Sequence, residues 1–261
     1  MVTSEQALPT IDGVSLPAEP LTMMRNGDYA KQVRIIVGSN TNDASLFVYG
    51  FPAFDNLTAS KFTGLLNASL FVDGKEPDAG ALERLVALYP ASQDPNVTRA
   101  SSLNHARLVE FGTDNGFACP MRWVAQAAAK HSSPVYLYRF NHAWPHARCS
   151  DLYFGPPWGV THTAEISYVF GMPTFVFGKP AAPQNCSMGE DEQDFARRIG
   201  GAWVALSSSD TGEEPWPGYN TSTEGLGALL QPGPGGHWQT EAGWRAAFCD
   251  RLARQAGSAA L

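Results

Sequence analysis

Two short runs, one β-branched and one rich in aromatic residues, constrain this chain's architecture more than any other feature of its 261 residues. Val33-Arg34-Ile35-Ile36-Val37 is mostly β-branched, stiff at χ1 and ends at Gly38, and Pro134-Val135-Tyr136-Leu137-Tyr138-Arg139-Phe140 is a second, aromatic-rich run in the second half of the chain. Each is predicted to be a buried strand that runs into a loop. Between them, Ala81 to Tyr89, Ser101 to Phe111 and Met121 to Lys130 place apolar residues three and four apart, which predicts helices. Beyond Phe140 comes a loop rich in Pro and aromatic residues, Asn141 to Trp158, and then a helical pattern from Glu190 to Leu206. A turn-rich patch from Ser207 to Gly236 contains Pro232-Gly233-Pro234-Gly235-Gly236, and a last amphipathic helix is predicted over Glu241 to Gln255. Strands separated by helical stretches predict the α/β class with a parallel or mixed sheet. Two strands do not make a stable sheet. The expectation is therefore an incomplete central sheet flanked by helices, one unit over residues 1–261, whose other strands lie upstream or which otherwise presents an exposed, aggregation-prone edge.

Charged residues make up 16% of the chain, against about 25% in an average protein. With Gly 25 and Pro 19, long turn-rich loops are favoured over a helical bundle. A net charge of −7 without a basic stripe excludes binding to a phosphate backbone, so nucleic acid is not an expected partner. No apolar run approaches the ~18–20 residues of a membrane span. The first ten residues show neither the basic nor the apolar region of a signal peptide. Against that stand five Asn-x-Ser/Thr acceptor sites, at Asn56, Asn67, Asn96, Asn185 and Asn220, and four cysteines, an even number. Together they predict a secreted, glycosylated and disulfide-bonded protein, with the export signal in a preceding portion.

Asp43 lies just past the first strand, and His162 follows the second strand and its loop. A carboxylate that holds an imidazole in one tautomer leaves the other ring nitrogen free to take a nucleophile's proton. In α/β-hydrolases the chain order is Ser, then acid, then His, and Asp43 with His162 fits the last two places. No Gly-x-Ser-x-Gly occurs anywhere to supply the first. Glu165 is a rival acid, but three positions after the His it suits a helix start or a contact behind the site better. His142 and His146, with Cys149 and Asp151, have the residue types of a metal site, yet Pro145 breaks the helix that their spacing needs. Neither a metal nor a cofactor is expected. His105, His131 and His237 are expected at the surface or in loops. Trp144, Tyr153, Phe154 and Trp158 precede the base, where lining a gorge and packing account for them equally well.

Four segments taken in order resemble the C-terminal half of the type-B carboxylesterase and cholinesterase family. Pro9-Thr10-Ile11-Asp12-Gly13-Val14-Ser15-Leu16-Pro17 is similar to the family's P-x-hydrophobic-D-G-x-x-L-P segment, and Val37 to Phe47 to its G-x-N-x-D-E-G-S-x-F acid loop. Thr161 to Gly171 is similar to the H-G-x-E histidine loop, and Pro215-Trp216-Pro217-Gly218-Tyr219 to the W-P-x-Y segment. The resemblance implies an α/β-hydrolase fold, His162 as general base, Asp43 as orienting acid and a small-molecule carboxylic ester as substrate. Most members have Glu at the position of Asp43, Gly at that of Ala44 and Gly at that of Thr163. Four cysteines allow three pairings and spacing does not choose among them. The resemblance pairs Cys119 with Cys249 and leaves Cys149 with Cys186. Without a nucleophile these residues alone are expected to be inactive. The alternative implied by the same family is a cholinesterase-like extracellular adhesion module in which the fold survives without chemistry.

Overall fold

The computed structural model describes residues 10–70, 79–90, 100–131, 133–143, 158–172, 188–207, 216–220, 225–231 and 239–255. The chain opens with helix α1 (Pro20–Asn26) and strand β1 (Ile35–Asn40). A helical stretch follows: α2 (Ser45–Tyr49), a 3₁₀ turn at Pro52–Phe54, α3 (Ala59–Leu70), α4 (Ala81–Leu88) and α5 (Leu103–Thr113). Helix α5 runs through a π-helical turn, Asp114–Ala118, into α6 (Cys119–Lys130). Strand β2 (Val135–Phe140), the short helix α7 (Ile166–Val169) and the long helix α8 (Glu190–Ser207) come next. Strands β3 (Leu226–Leu230) and β4 (Gln239–Ala242) and helix α9 (Ala246–Gln255) complete the described elements.

The strands form a four-stranded mixed sheet in the order β1-β2-β3-β4. β1 pairs parallel to β2 from Ile35↔Val135 to Asn40↔Phe140, β3 pairs parallel to β2, and β4 runs antiparallel to β3. Alternation puts Ile35, Val37, Val135 and Leu137 on one face, against Ala125, Ala128 and Ala129 of α6. The small side chains of α6 let its backbone approach the sheet closely. The other face presents Ile36, Tyr136, Tyr138, Phe140, Ala228 and Leu230 to Phe195, Ile199, Ala202 and Trp203 of α8 and to Trp216. A sheet covered on both faces has the layering of the α/β class. A second core, built on Phe62, Leu66, Leu85, Tyr89 and Phe111, holds α3, α4 and α5 together beside the sheet.

β1 runs further than its apolar run indicates. Gly38 reads as a strand end, but here it is a point of close approach, because a Cβ at this position would come within 2.4 Å of the Tyr138 ring. The strand continues to Asn40, which pairs with Phe140. Two strands also lie where the sequence predicted none. β3 falls inside the turn-rich patch, where Gly227 interrupts its short apolar run, and β4 occupies the first residues assigned to the last helix. Gln239 to Ala242 is a mostly exposed polar edge with no apolar alternation to reveal it, and the helix starts at Ala246. Arg139 on β2 joins this edge to the centre of the sheet. Its guanidinium donates to both Glu241 carboxylate oxygens (2.7 and 2.5 Å), lies 4.9 Å from the Trp244 ring and gives a third hydrogen bond to Thr41 Oγ1 (2.9 Å).

The histidines expected at the surface divide. His105 is 1% exposed on α5, where Nε2 donates to the Val48 carbonyl and Nδ1 accepts from Ser101. Three partners satisfy it completely, which is how a polar ring survives in a core. His131 caps α6 and donates to the Arg25 carbonyl. His237 lies outside the described residues.

Cys119 and Cys249 form a disulfide between the start of α6 and the middle of α9. A buried ion pair supports it: Asp114, 1% exposed, accepts from Arg245 Nε (2.7 Å) and Nη2 and from the Tyr89 hydroxyl (2.9 Å). Burial pushes the Asp114 carboxyl up, and Arg245 and Tyr89 pull it back. Cys149 and Cys186 lie outside the described residues. Because the bridge closes a span of 130 positions, Cys249→Ser should lower unfolding stability by about 2–5 kcal/mol in urea titrations. A loss below measurement would show that the ion pair holds α9 alone.

Candidate active site

β1 and β2 are parallel, so the loops after Asn40 and Phe140 leave the sheet at the same end. Asp43 sits in a turn over residues 41–44, between β1 and α2. Three main-chain contacts shape this turn: Thr41 N–H donates to the Phe140 carbonyl (3.1 Å), Asn42 N–H to the Val160 carbonyl (3.0 Å) and Ala44 N–H to Thr113 Oγ1 (3.1 Å). Asn42 binds the second loop again, its Oδ1 accepting from Val160 N–H (3.0 Å). Gly159 makes that approach feasible, since its φ is +73° and a Cβ there would come within 2.3 Å of Asn42 Oδ1. A side chain would be strained in this backbone and would fill that room, and glycine avoids both.

The contact that results is between Asp43 and His162. Asp43 is 4% exposed, its Oδ2 accepts from Asn40 N–H (2.8 Å), and its Oδ1 accepts from His162 Nδ1 (2.7 Å). The imidazole is half-buried. The hydrogen bond to Asp43 pushes its pKa above the ordinary histidine value, burial opposes this, and the charges of Asp43 and Glu165 reinforce it. Engaging Nδ1 fixes the tautomer and leaves Nε2 to exchange a proton. Phe47 of α2 and Phe117 of the π-helical turn stack on each other (6.0 Å, 15° between planes), and each ring centre lies 5.1 Å from that of His162. These two rings make an apolar wall at the base, and α-helices with a π turn commonly place such residues at functional sites.

Glu165 does not bond to Nδ1. It precedes α7, and its carboxylate accepts from Asn40 Nδ2 (2.6 Å). His142 donates to both oxygens of Glu192 (2.8 and 3.0 Å), which also accepts from the Tyr168 hydroxyl. His146, Cys149 and Asp151 lie outside the described residues, and among the described residues no three His, Cys, Asp or Glu side chains gather as a metal site would need. Trp158 is buried, edge-on to Tyr49 at 6.1 Å, so it packs rather than lines a channel. Trp144, Tyr153 and Phe154 lie outside the described residues. Asn56 and Asn220 are exposed and Asn67 is half-buried on α3. Asn96 and Asn185 lie outside the described residues.

The family model of the carboxylesterase family matches residues 2–234. The chain belongs to the carboxylesterase family. It is 28% identical over 228 residues to an acetylcholinesterase of Bungarus fasciatus, covering 82% of this chain and 34% of that protein. An acetylcholinesterase of Leptinotarsa decemlineata is 31% identical over 166 residues, covering 63% and 25%. One of Electrophorus electricus is 26% identical over 263 residues, covering 83% and 38%. The chain thus spans about a third of the length of these relatives. The open mixed sheet with helices on both faces is part of an α/β-hydrolase fold. Among the described residues no helix is long and apolar enough to cross a membrane.

Sequence reasoning did not single out Asn40, Asn42, Phe47, Phe117 or Thr113 in the candidate site. The two Asn residues lie inside the acid-loop segment, so they were available as signals. Phe117 and Thr113 are far from it in sequence, and only the packing of α5 and its π turn brings them in. Thr163, beside the base, has φ +70° and a buried hydroxyl with no hydrogen-bond partner among the described residues. A β-branched residue is strained there. Thr163→Gly should raise stability by about 1 kcal/mol in thermal or urea unfolding, and a decrease would show that the side chain packs usefully.

The His162 and Asp43 contact also sets a pH dependence. The His162 imidazole has a folded-state pKa above the ordinary histidine value. The resulting stabilisation is complete below that value and fades as pH rises through the folded midpoint. Asp43→Asn should therefore destabilise the chain more at about pH 5 than at about pH 9, as read from urea midpoints. An equal loss at both would show that the imidazole's charge is not involved.

Proposed function

We propose that this chain carries the acid and base of a secreted serine hydrolase that cleaves small carboxylic esters. The observation that supports this most is the 2.7 Å hydrogen bond from the half-buried His162 to the nearly inaccessible Asp43 carboxylate. In the complete enzyme a serine attacks the ester carbonyl while His162 Nε2 takes its proton. Asp43 stabilises the imidazolium, which then protonates the departing alcohol. Water, activated by the same nitrogen, releases the acyl group. Phe47 and Phe117 form the apolar side of this site and favour esters with a hydrocarbon group beside the base.

The nucleophile and its oxyanion donors come from outside these 261 residues, so the chain by itself is inactive. Secretion and glycosylation at Asn56, Asn67, Asn96, Asn185 and Asn220 are part of the proposal, as is a second bridge from Cys149 to Cys186. The disulfide of Cys119 with Cys249 supports an oxidising compartment. The retained acid and base contact weighs against the adhesion-module alternative, because a domain that only binds has no use for a buried carboxylate aligned on an imidazole.

A fluorophosphonate probe separates the outcomes. It should leave the 261-residue chain unlabelled and label the esterase that includes an upstream nucleophile elbow. In that longer protein, His162→Ala should lower kcat/KM for a short-chain aryl ester by at least about 10³-fold. Full turnover in the His162→Ala variant would refute the assignment.

A further inference from the structure

Besides the Asn42 and Asp43 contacts, the base loop is tied to the end of β1 by one buried side chain, Asn40, the last residue of that strand, which is 2% exposed. Its backbone N–H holds Asp43 Oδ2, so the carboxylate is gripped by Asn40 on one oxygen and by His162 on the other. Its amide nitrogen donates to the carbonyl of Thr161 (2.7 Å), the residue just before the base, and to Glu165 Oε2 (2.6 Å). A carbonyl and a carboxylate oxygen both call for a donor, so the NH₂ end of the amide has to face them.

We propose that Asn40 is a positioning residue for the base: one amide fixes the end of β1, the base loop and the Glu165 carboxylate together, and so sets both the place and the charge environment of the His162 imidazole. This rests on the reading of His162 as base and Asp43 as its orienter. Glu165 is largely buried. Burial and the nearby Asp43 push its carboxyl up, while the Asn40 hydrogen bond and the His162 charge pull it down. Without the amide, the balance moves toward a neutral Glu165.

Glu165 in turn adds to Asp43 in favouring the charged imidazole. Among the described residues, the titratable groups acting on this site are Asp43 from the acid loop, Glu165 from the base loop and Tyr138 from β2. The Tyr138 phenol is pushed up by burial and by both carboxylates. The groups packed on the imidazole from α2 and the π turn, Phe47 and Phe117, carry no charge. Asn40 therefore acts on the proton affinity of His162 through Glu165, as well as on its place.

The test is a pH titration of the His162 Cε1–H resonance in the full chain, assigned by its disappearance in His162→Gln. Asn40→Ala keeps the backbone N–H on Asp43 and removes both amide bonds, and the His162 midpoint should move to lower pH. Glu165→Gln should move it in the same direction, and in that background the shift caused by Asn40→Ala should shrink or vanish. An unmoved midpoint in either single variant overturns the proposal, as does a shift by Asn40→Ala that persists in full beside Glu165→Gln. If Asn40→Ala does not fold, the nearly isosteric Glu165→Gln, which still offers Asn40 an acceptor, decides the matter. No ester turnover is read, so failure of the hydrolase reading and failure of this proposal are separable.

Discussion

Parallel pairing of β1 with β2 is the constraint from which the site follows. Parallel strands end on the same side of a sheet, and the register that sets Asn40 opposite Phe140 brings the two following loops out level with each other. A turn after one strand can then reach a loop after the other through main-chain hydrogen bonds. Asn42 with Val160 and Thr41 with Phe140 are those bonds. With the loops fixed, the short Asp side chain spans the distance to His162. The buried carboxylate is tolerable because both of its oxygens are satisfied.

The helical part outside the sheet also acts on the site. α5 leads into the π turn that carries Phe117 to the imidazole, and the N-terminal residue of α6 is the disulfide cysteine. Asp114, at the start of the same turn, is held by Arg245 and Tyr89. A covalent bond and a buried ion pair therefore clamp α9 on either end of a single turn of backbone. The aromatic wall is set from the far end of the chain.

Much of this was legible in the sequence, and the rest was hidden for identifiable reasons. A β-branched run revealed β1 and an aromatic-rich one β2, and apolar spacing revealed α4, α5, α6 and α8, because burial of one face or of both leaves a periodic trace. β3 escaped through its Gly and its turn-rich flanks, and β4 because an exposed edge needs no apolar alternation. The pairing of acid and base could be proposed from chain order and resemblance, since their loops carry recognisable segments. Phe117, Thr113 and the burial of His105 could not, because each depends on a contact between elements distant in sequence. Asn40 lay in plain view in the acid-loop segment, but its role depends on where Glu165 and Thr161 come to rest.

The fan of hydrogen bonds from Arg139 has a dynamic consequence. One guanidinium holds Glu241 on the outermost strand and Thr41 in the turn that carries the carboxylate. When β4 peels from the sheet, that guanidinium loses its anchor and the turn loses a donor in the same event. Edge and turn thus belong to one cooperative opening unit, and their amide hydrogens exchange with solvent at linked rates.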